Sequence, residues 1–213
     1  MYIAQIYGIS STIYNKAGFE KYDRYSSQDL IKGTLESNTP FNLAEILTQK
    51  KVQDDEGHIY YQNIFSGLFI DAKLPKNINS TIYFKKDKGN NSFLNKIPLF
   101  NSPLNKMKIE LDSPEFEEVF DVFSDNRMLT MQILSVDIMQ MIVEFKQEMK
   151  FDFEITIKEN DLFIRFKCGQ MFENGNIMEE ALNKERLYRY YKTLEFSLKL
   201  SSMLIKSIND VIL

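Results

Sequence analysis

The sequence predicts an α+β protein, a mainly antiparallel sheet with helices packed on one face and a long C-terminal helix. Three observations lead there. Residues 30–86 alternate apolar and polar side chains between turn clusters, the signature of half-buried strands. Residues 107–170 interleave capped helical patterns with a strongly alternating hairpin. Residues 177–213 contain neither Gly nor Pro. No alternating βαβ series appears, which argues against a doubly wound parallel sheet.

Residues 1–30 have mixed character and are expected to be an N-terminal extension of a single domain spanning 1–213. Within them, Ser10, Ser11 and Thr12 are suited to cap a short helix reaching Phe19. Strands are predicted over 30–36 and 41–48, on either side of a turn at 37–40. An acidic turn, Asp54 to Gly57, precedes one long strand over 59–74 with Gly67 at its middle. A glycine there weakens a strand unless a bulge or a close backbone approach requires it. Residues 80–85 are expected to pair back onto that strand, and 88–106, rich in Asn, Ser and Pro, to form the long loop.

Residues 107–111 read as a strand. Ser113-Pro114-Glu115 then supplies an N-cap, a proline at the first helical position and an acid in the first turn, opening a short helix with Phe116, Val119 and Phe120 inward. A break at 121–127 and a strand at 128–134 follow. Ser135 caps a helix facing inward through Ile138, Met141, Ile142, Phe145 and Met149. In the hairpin, Phe151, Phe153, Ile155 and Ile157 share a face with Leu162, Ile164 and Phe166 across a turn at 159–161. The final helix carries a main apolar stripe of Leu187, Tyr191, Leu194, Leu198, Ile205, Ile208 and Ile212. Phe196, Leu200 and Met203 add a second stripe, so the distal half is expected to be buried or docked on a partner.

Composition narrows the function. The net charge is −4, the pI is near 5.2, and lysines and arginines are interspersed with acids, so nucleic-acid binding is not expected. One cysteine, Cys168, forms no internal disulfide and fits a reducing cytoplasm. No stretch reaches the roughly 20 apolar residues that span a bilayer, and the N-terminus lacks a secretory pattern. The chain is expected to be soluble and cytoplasmic, or the cytosolic part of a tethered protein.

Chemistry-bearing motifs are sparse. The one histidine, His58, stands beside Asp54, Asp55 and Glu56, a group better read as a solvated turn than a cation loop. The glycines are dispersed and form no phosphate cradle. No cofactor or metal is expected, and no catalytic residue is assigned. The polar cluster Ser124-Asp125-Asn126-Arg127 is singled out because Asp125 and Arg127 could recognise a ligand or partner. Its alternative reading is an Asx-type turn with an ion pair. Lys192, Lys199 and Lys206, seven residues apart, mark the solvent face of the last helix.

Phe65-Ser66-Gly67-Leu68-Phe69, then Ser113-Pro114-Glu115-Phe116-Glu117, then Phe120-Asp121-Val122-Phe123-Ser124-Asp125, occur in an order that resembles a bacterial family known as domain of unknown function 3137. Residues 129–134 and the capped helix from Ser135 continue the resemblance, which covers residues 30–170. It implies membrane tethering through hydrophobic segments upstream of the soluble part. That anchor is absent from this chain, which is therefore expected to be the soluble portion of a longer protein or a shorter variant. The resemblance supplies no activity.

These observations favour a non-catalytic interaction or scaffold domain of a membrane-associated protein. Its candidate contact residues are Asp125, Arg127, Phe196, Leu200 and Met203, and its partner a protein or a second copy through the last helix. A small-molecule or lipid-binding domain, with an aromatic pocket between sheet and helices, is the second reading, and an enzyme the third.

Overall fold

The computed structural model describes residues 8–35, 38–86, 107–169 and 184–211. The long loop expected at 88–106, the first turns of the last helix at 177–183, and Ile212 lie outside them. In chain order the elements are α1 (Ser11–Ala17), β1 (Arg24–Thr34), β2 (Pro40–Gln53), β3 (Ile59–Lys73), β4 (Thr81–Lys86), β5 (Lys108–Ile109), α2 (Pro114–Glu117), β6 (Phe120–Ser124), α3 (Arg127–Ile133), α4 (Val136–Met149), β7 (Asp152–Lys158), β8 (Asp161–Lys167) and α5 (Lys184–Val211).

The strands form one sheet in the order β1-β2-β3-β8-β7-β4-β6-β5, and every pairing is antiparallel. The β7–β8 hairpin falls where its alternation predicts, with Phe153, Ile155, Ile157, Leu162, Ile164 and Phe166 buried and Phe151 half-buried. Its placement is not what local reading suggests. Residues 80–85, expected to pair with β3, instead form β4 beside β7 and β6, because the hairpin inserts between β3 and β4. The connecting segment crosses the hairpin turn and is bonded to it. Leu74 N donates to Asn160 O at 2.8 Å, Ile78 N to Glu159 O at 2.9 Å, and Glu159 N to Ser80 O at 3.1 Å.

Gly67 explains itself in this arrangement. A Cβ there would collide with the carbonyl oxygen of Phe166 on β8, so of the two reasons a mid-strand glycine can have, a bulge or a close backbone approach, the close approach applies.

A second correction concerns residues 128–134. All but the last, Leu134, are helical, as α3, rather than a strand. Asn126 caps the helix, its side chain accepting from Leu129 N at 3.1 Å, and Thr130 Oγ1 donates back to Asn126 O at 2.8 Å. The pair Thr130 and Ile133, three residues apart, is the buried face. Ser135 caps α4 as expected.

The core lies between the sheet and the layer of α2, α3, α4 and α5. At its centre Phe145 of α4 stacks on Phe196 of α5, centroids 3.5 Å apart, and both rings meet Phe153 and Phe166 edge-on. Such ring pairs add to the burial of their large apolar area. The opposite face of the sheet has its own, smaller cluster. There α1 and its flanks place Ile9, Tyr14, Ala17 and Phe19 over Ala44, Ile46, Phe65, Phe69 and Phe163.

Candidate functional site

The residues singled out from the sequence do not converge. Asp125 is exposed, and its carboxylate accepts from Thr81 N at 3.0 Å and from the hydroxyl of Ser80. It fastens the start of β4 to the end of β6 and makes no ion pair with Arg127 among the described residues. Arg127 is the exposed first residue of α3. Replacing Asp125 with Ala is expected to cost about 1–3 kcal/mol, because two donors lose a charged acceptor. Arg127→Ala is expected to stay within about 0.5 kcal/mol of wild type, as surface substitutions do. Urea unfolding of the two variants checks the contrast, and equal effects would contradict it.

Phe196 and Leu200 are corrected as contact residues, because both are buried in the main core and Met203 is half-buried. The helix face that enters the core is lined by Thr193, Phe196, Ser197, Leu200, Ser201, Leu204, Ile205 and Ile208, all buried. Three hydroxyls lie on that face without cost, since each is satisfied within the helix. Thr193 donates to Arg189 O at 2.8 Å, Ser197 to Leu194 O at 2.9 Å and Ser201 to Ser197 O at 2.7 Å. The burial is therefore rotated from the expected main stripe. Leu194 and Leu198 are half-buried, and Leu187, Tyr188 and Tyr191 are left 52%, 51% and 60% exposed.

Residues 54–58 form the tip of the β2–β3 hairpin, which runs past the ends of β1 and β8. Asp54 accepts from His58 N at 2.8 Å and Glu56 N at 3.1 Å, and the His58 ring sits 3.3 Å from the same carboxylate. The turn is exposed throughout. No group of three or more His, Cys, Asp or Glu among the described residues is placed to hold a metal ion. Cys168 lies beyond β8, and burial pushes its thiol up to about 11, far from the reactive thiolate range.

The strongest concentration of charge lies elsewhere, beneath α1. Arg165 of β8 and Glu154 of β7 are cross-strand partners, and both point away from the main core. Arg165 Nε donates to Glu154 at 2.6 Å. Its Nη1 donates to Tyr14 Oη at 2.8 Å and pairs with Glu20. Glu20 accepts from Tyr14 Oη at 2.8 Å and from Thr48 Oγ1 at 3.0 Å. Lys85 of β4 lies 3.6 Å from Glu154, and the guanidinium is 4.2 Å from the Phe19 centroid and 4.9 Å from that of Phe65. Two cations and two carboxylates thus balance in an aromatic enclosure. Burial pushes Glu154 up, but Arg165 and Lys85 outweigh it and hold the carboxyl below its usual range. Burial also lowers Lys85, with Glu154 opposing. At the other end of α1, Asp161 accepts from Lys16 at 2.8 Å and pairs with Lys73.

This network was not legible in advance. The alternation marked Glu154 and Arg165 as facing away from the core, and a strand face of that kind ordinarily meets water. Their cross-strand register was the available signal, and the helix that covers them was the missing piece. Each carboxylate is held by cations or hydroxyls of this chain, while the buried Lys85 Nζ has the 3.6 Å ion pair with Glu154 but no hydrogen bond.

The protein-family model described as a protein of unknown function, DUF3137, matches residues 63–206. The chain belongs to this family. The DUF3137 match runs from within β3 through most of α5, so it contains the β7–β8 hairpin and the helix layer but not α1, β1 or β2. No curated protein matches the sequence significantly. Among solved structures, the crystal structure of the mycobacterial trehalose monomycolate transport factor A, TtfA, is similar at 9% identity and a TM-score of 0.43, over 87% of this chain and 75% of that one. No single helix among the described residues is long and apolar enough to cross a membrane. Helices α3 and α4 together have the length and composition of a span but are bent by 70°, and Ile133, Ile138 and Ile142 on them are core residues.

Proposed function

We propose that this DUF3137 protein is a non-catalytic interaction domain of a membrane-associated assembly, and that it docks another protein chain on the N-terminal half of α5. The single observation behind this reading is the exposure of Leu187, Tyr188 and Tyr191 on consecutive turns of a helix whose C-terminal half is core. Large apolar and aromatic side chains at an exposed helix face are the usual anchors of a protein interface.

The chemistry around the patch favours a protein over a lipid surface. Two acids, Glu185 and Glu195, and two bases, Arg189 and Lys192, flank it along the helix, which suits a polar rim. A net charge of −4 gives no general attraction to anionic headgroups. A ligand pocket between sheet and helices is less well supported, because Phe145, Phe153, Phe166 and Phe196 already fill that space.

Replacing Leu187, Tyr188 and Tyr191 together with Glu tests the reading. The far-ultraviolet circular dichroism of the variant should match wild type and its melting temperature should fall by only a few degrees, since none of the three side chains is core and the hydrogen bonds lost, from Tyr188 Oη to Glu148 and from Tyr191 Oη to Glu195, are exposed. Gel filtration of detergent-solubilised native cells should show wild type in a species larger than 25.1 kDa and the variant shifted to its own mass. Unchanged elution of the folded variant would defeat the proposal.

A further inference from the structure

We propose that residues 8–20, which carry α1, form a latch that opens as a unit while the rest of the fold stays closed, uncovering an apolar groove on the second face of the sheet. This inference is independent of the docking surface on α5.

Four observations carry it. The apolar residues under α1 make a cluster separate from the main core, with the sheet between them, so lifting α1 leaves the helix layer untouched. The helix itself is seven residues long and far below the length that is stable alone, so its order comes from its contacts. Those contacts join the buried side chains of Ile9, Tyr14, Ala17 and Phe19 to a few polar anchors: Ile9 N to Ser27 Oγ at 2.9 Å, Tyr25 Oη to Ile9 O at 2.7 Å, Lys16 to Asp161, and Tyr14 and Glu20 to Arg165. Finally, the network beneath is ionic. Opening exposes apolar surface but returns Arg165, Glu154, Glu20 and Lys85 to water, and the recovered hydration offsets part of the loss. A groove lined only by Phe65, Phe69 and Phe163 would have no such offset.

The latch also defines what the open groove accepts. Its resident occupant presents an aromatic ring, Tyr14, and a carboxylate, Glu20, six residues apart, the ring over Phe69 at 5.1 Å between centroids and the carboxylate on Arg165. A competing segment would be a short helix that presents an aromatic ring to Phe69, followed by an acid for Arg165.

Amide hydrogen exchange on the full chain tests the latch. In wild type, the amides of Tyr14 and Gly18 should exchange at least 10-fold faster than those of Phe69 in β3 and Ile205 in α5, which report global opening. Glu20→Gln removes one charge from the latch side alone and retains an acceptor for Tyr14. It should speed exchange of Tyr14 and Gly18 by a further 10-fold and leave Ile205 unchanged. Lys16→Met, at the other anchor, should act in the same sense. Equal protection of α1 and Phe69 in wild type would overturn the proposal, as would equal acceleration of all four amides in both variants.

Discussion

Arg165→Ala is expected to destabilise the protein by about 3–5 kcal/mol, the range for breaking a buried ion pair from one side. The arginine is the hub on which Glu154 of β7, Glu20 and Tyr14 converge. Deleting it leaves Glu154 with only Lys85, at 3.6 Å, and Glu20 with hydroxyl donors alone. The cost is the desolvation of carboxylates that lose their cation, together with contacts to Phe19 and Phe65. Domain stability is only about 5–15 kcal/mol, so this one change removes a large share of it. The acid branch follows the same logic. Glu154 and Asp161 are held below the usual carboxylate range in the fold, with burial opposed by Arg165 and Lys85 at one and by Lys16 and Lys73 at the other. Their contribution is therefore complete above the unfolded value of about 4 and is lost as pH falls through the folded value. Urea unfolding at neutral pH checks the variant, and a loss under about 1 kcal/mol with the Tyr14 amide still as protected as in wild type would show that the network contributes little.

Lysine at both Leu200 and Met203 is expected to abolish the cooperative thermal transition. Leu200 is fully buried beside Phe196, Leu204 and Ser201. Removing a buried leucine alone costs about 2–5 kcal/mol, and an unpaired ammonium in its place adds a further desolvation cost. The same double substitution on an interface stripe would instead give a folded monomer. Circular dichroism with light scattering separates these outcomes, and a folded monomer would return that stripe to the surface.

What was legible in the sequence, and what was not, divides along physical lines. The β7–β8 hairpin and α4 were readable because their periods are clean and their turn and cap residues agree with them. Gly67 stands out because a mid-strand glycine needs a reason, but the sequence does not choose between a bulge and the close approach to Phe166. Residues 128–134 suggest a strand because Leu129, Met131 and Ile133 alternate at period 2, and only Asn126 as a cap argues for the helix α3. The buried stripe of α5 was placed too far round because Thr193, Ser197 and Ser201 were treated as polar, although each closes its hydroxyl on its own helix. The pairing of β4 depended on a hairpin some 70 residues later, a non-local event that no window along the chain contains. Asp125 and Arg127 read locally as a turn with an ion pair, yet among the described residues Asp125 is held by Ser80 and Thr81 instead, again far along the chain.

The claim that the functional surface is the exposed half of α5 is most directly measured by photocrosslinking in the native cell. A photoreactive phenylalanine analogue at Tyr191, with Lys199 on the same helix as the control position, reads out which face meets another protein. The account predicts one discrete adduct at 191, absent at 199 and lost when Leu187 and Tyr188 are changed to Glu. Adducts of equal yield at both positions, or none at 191, would contradict it.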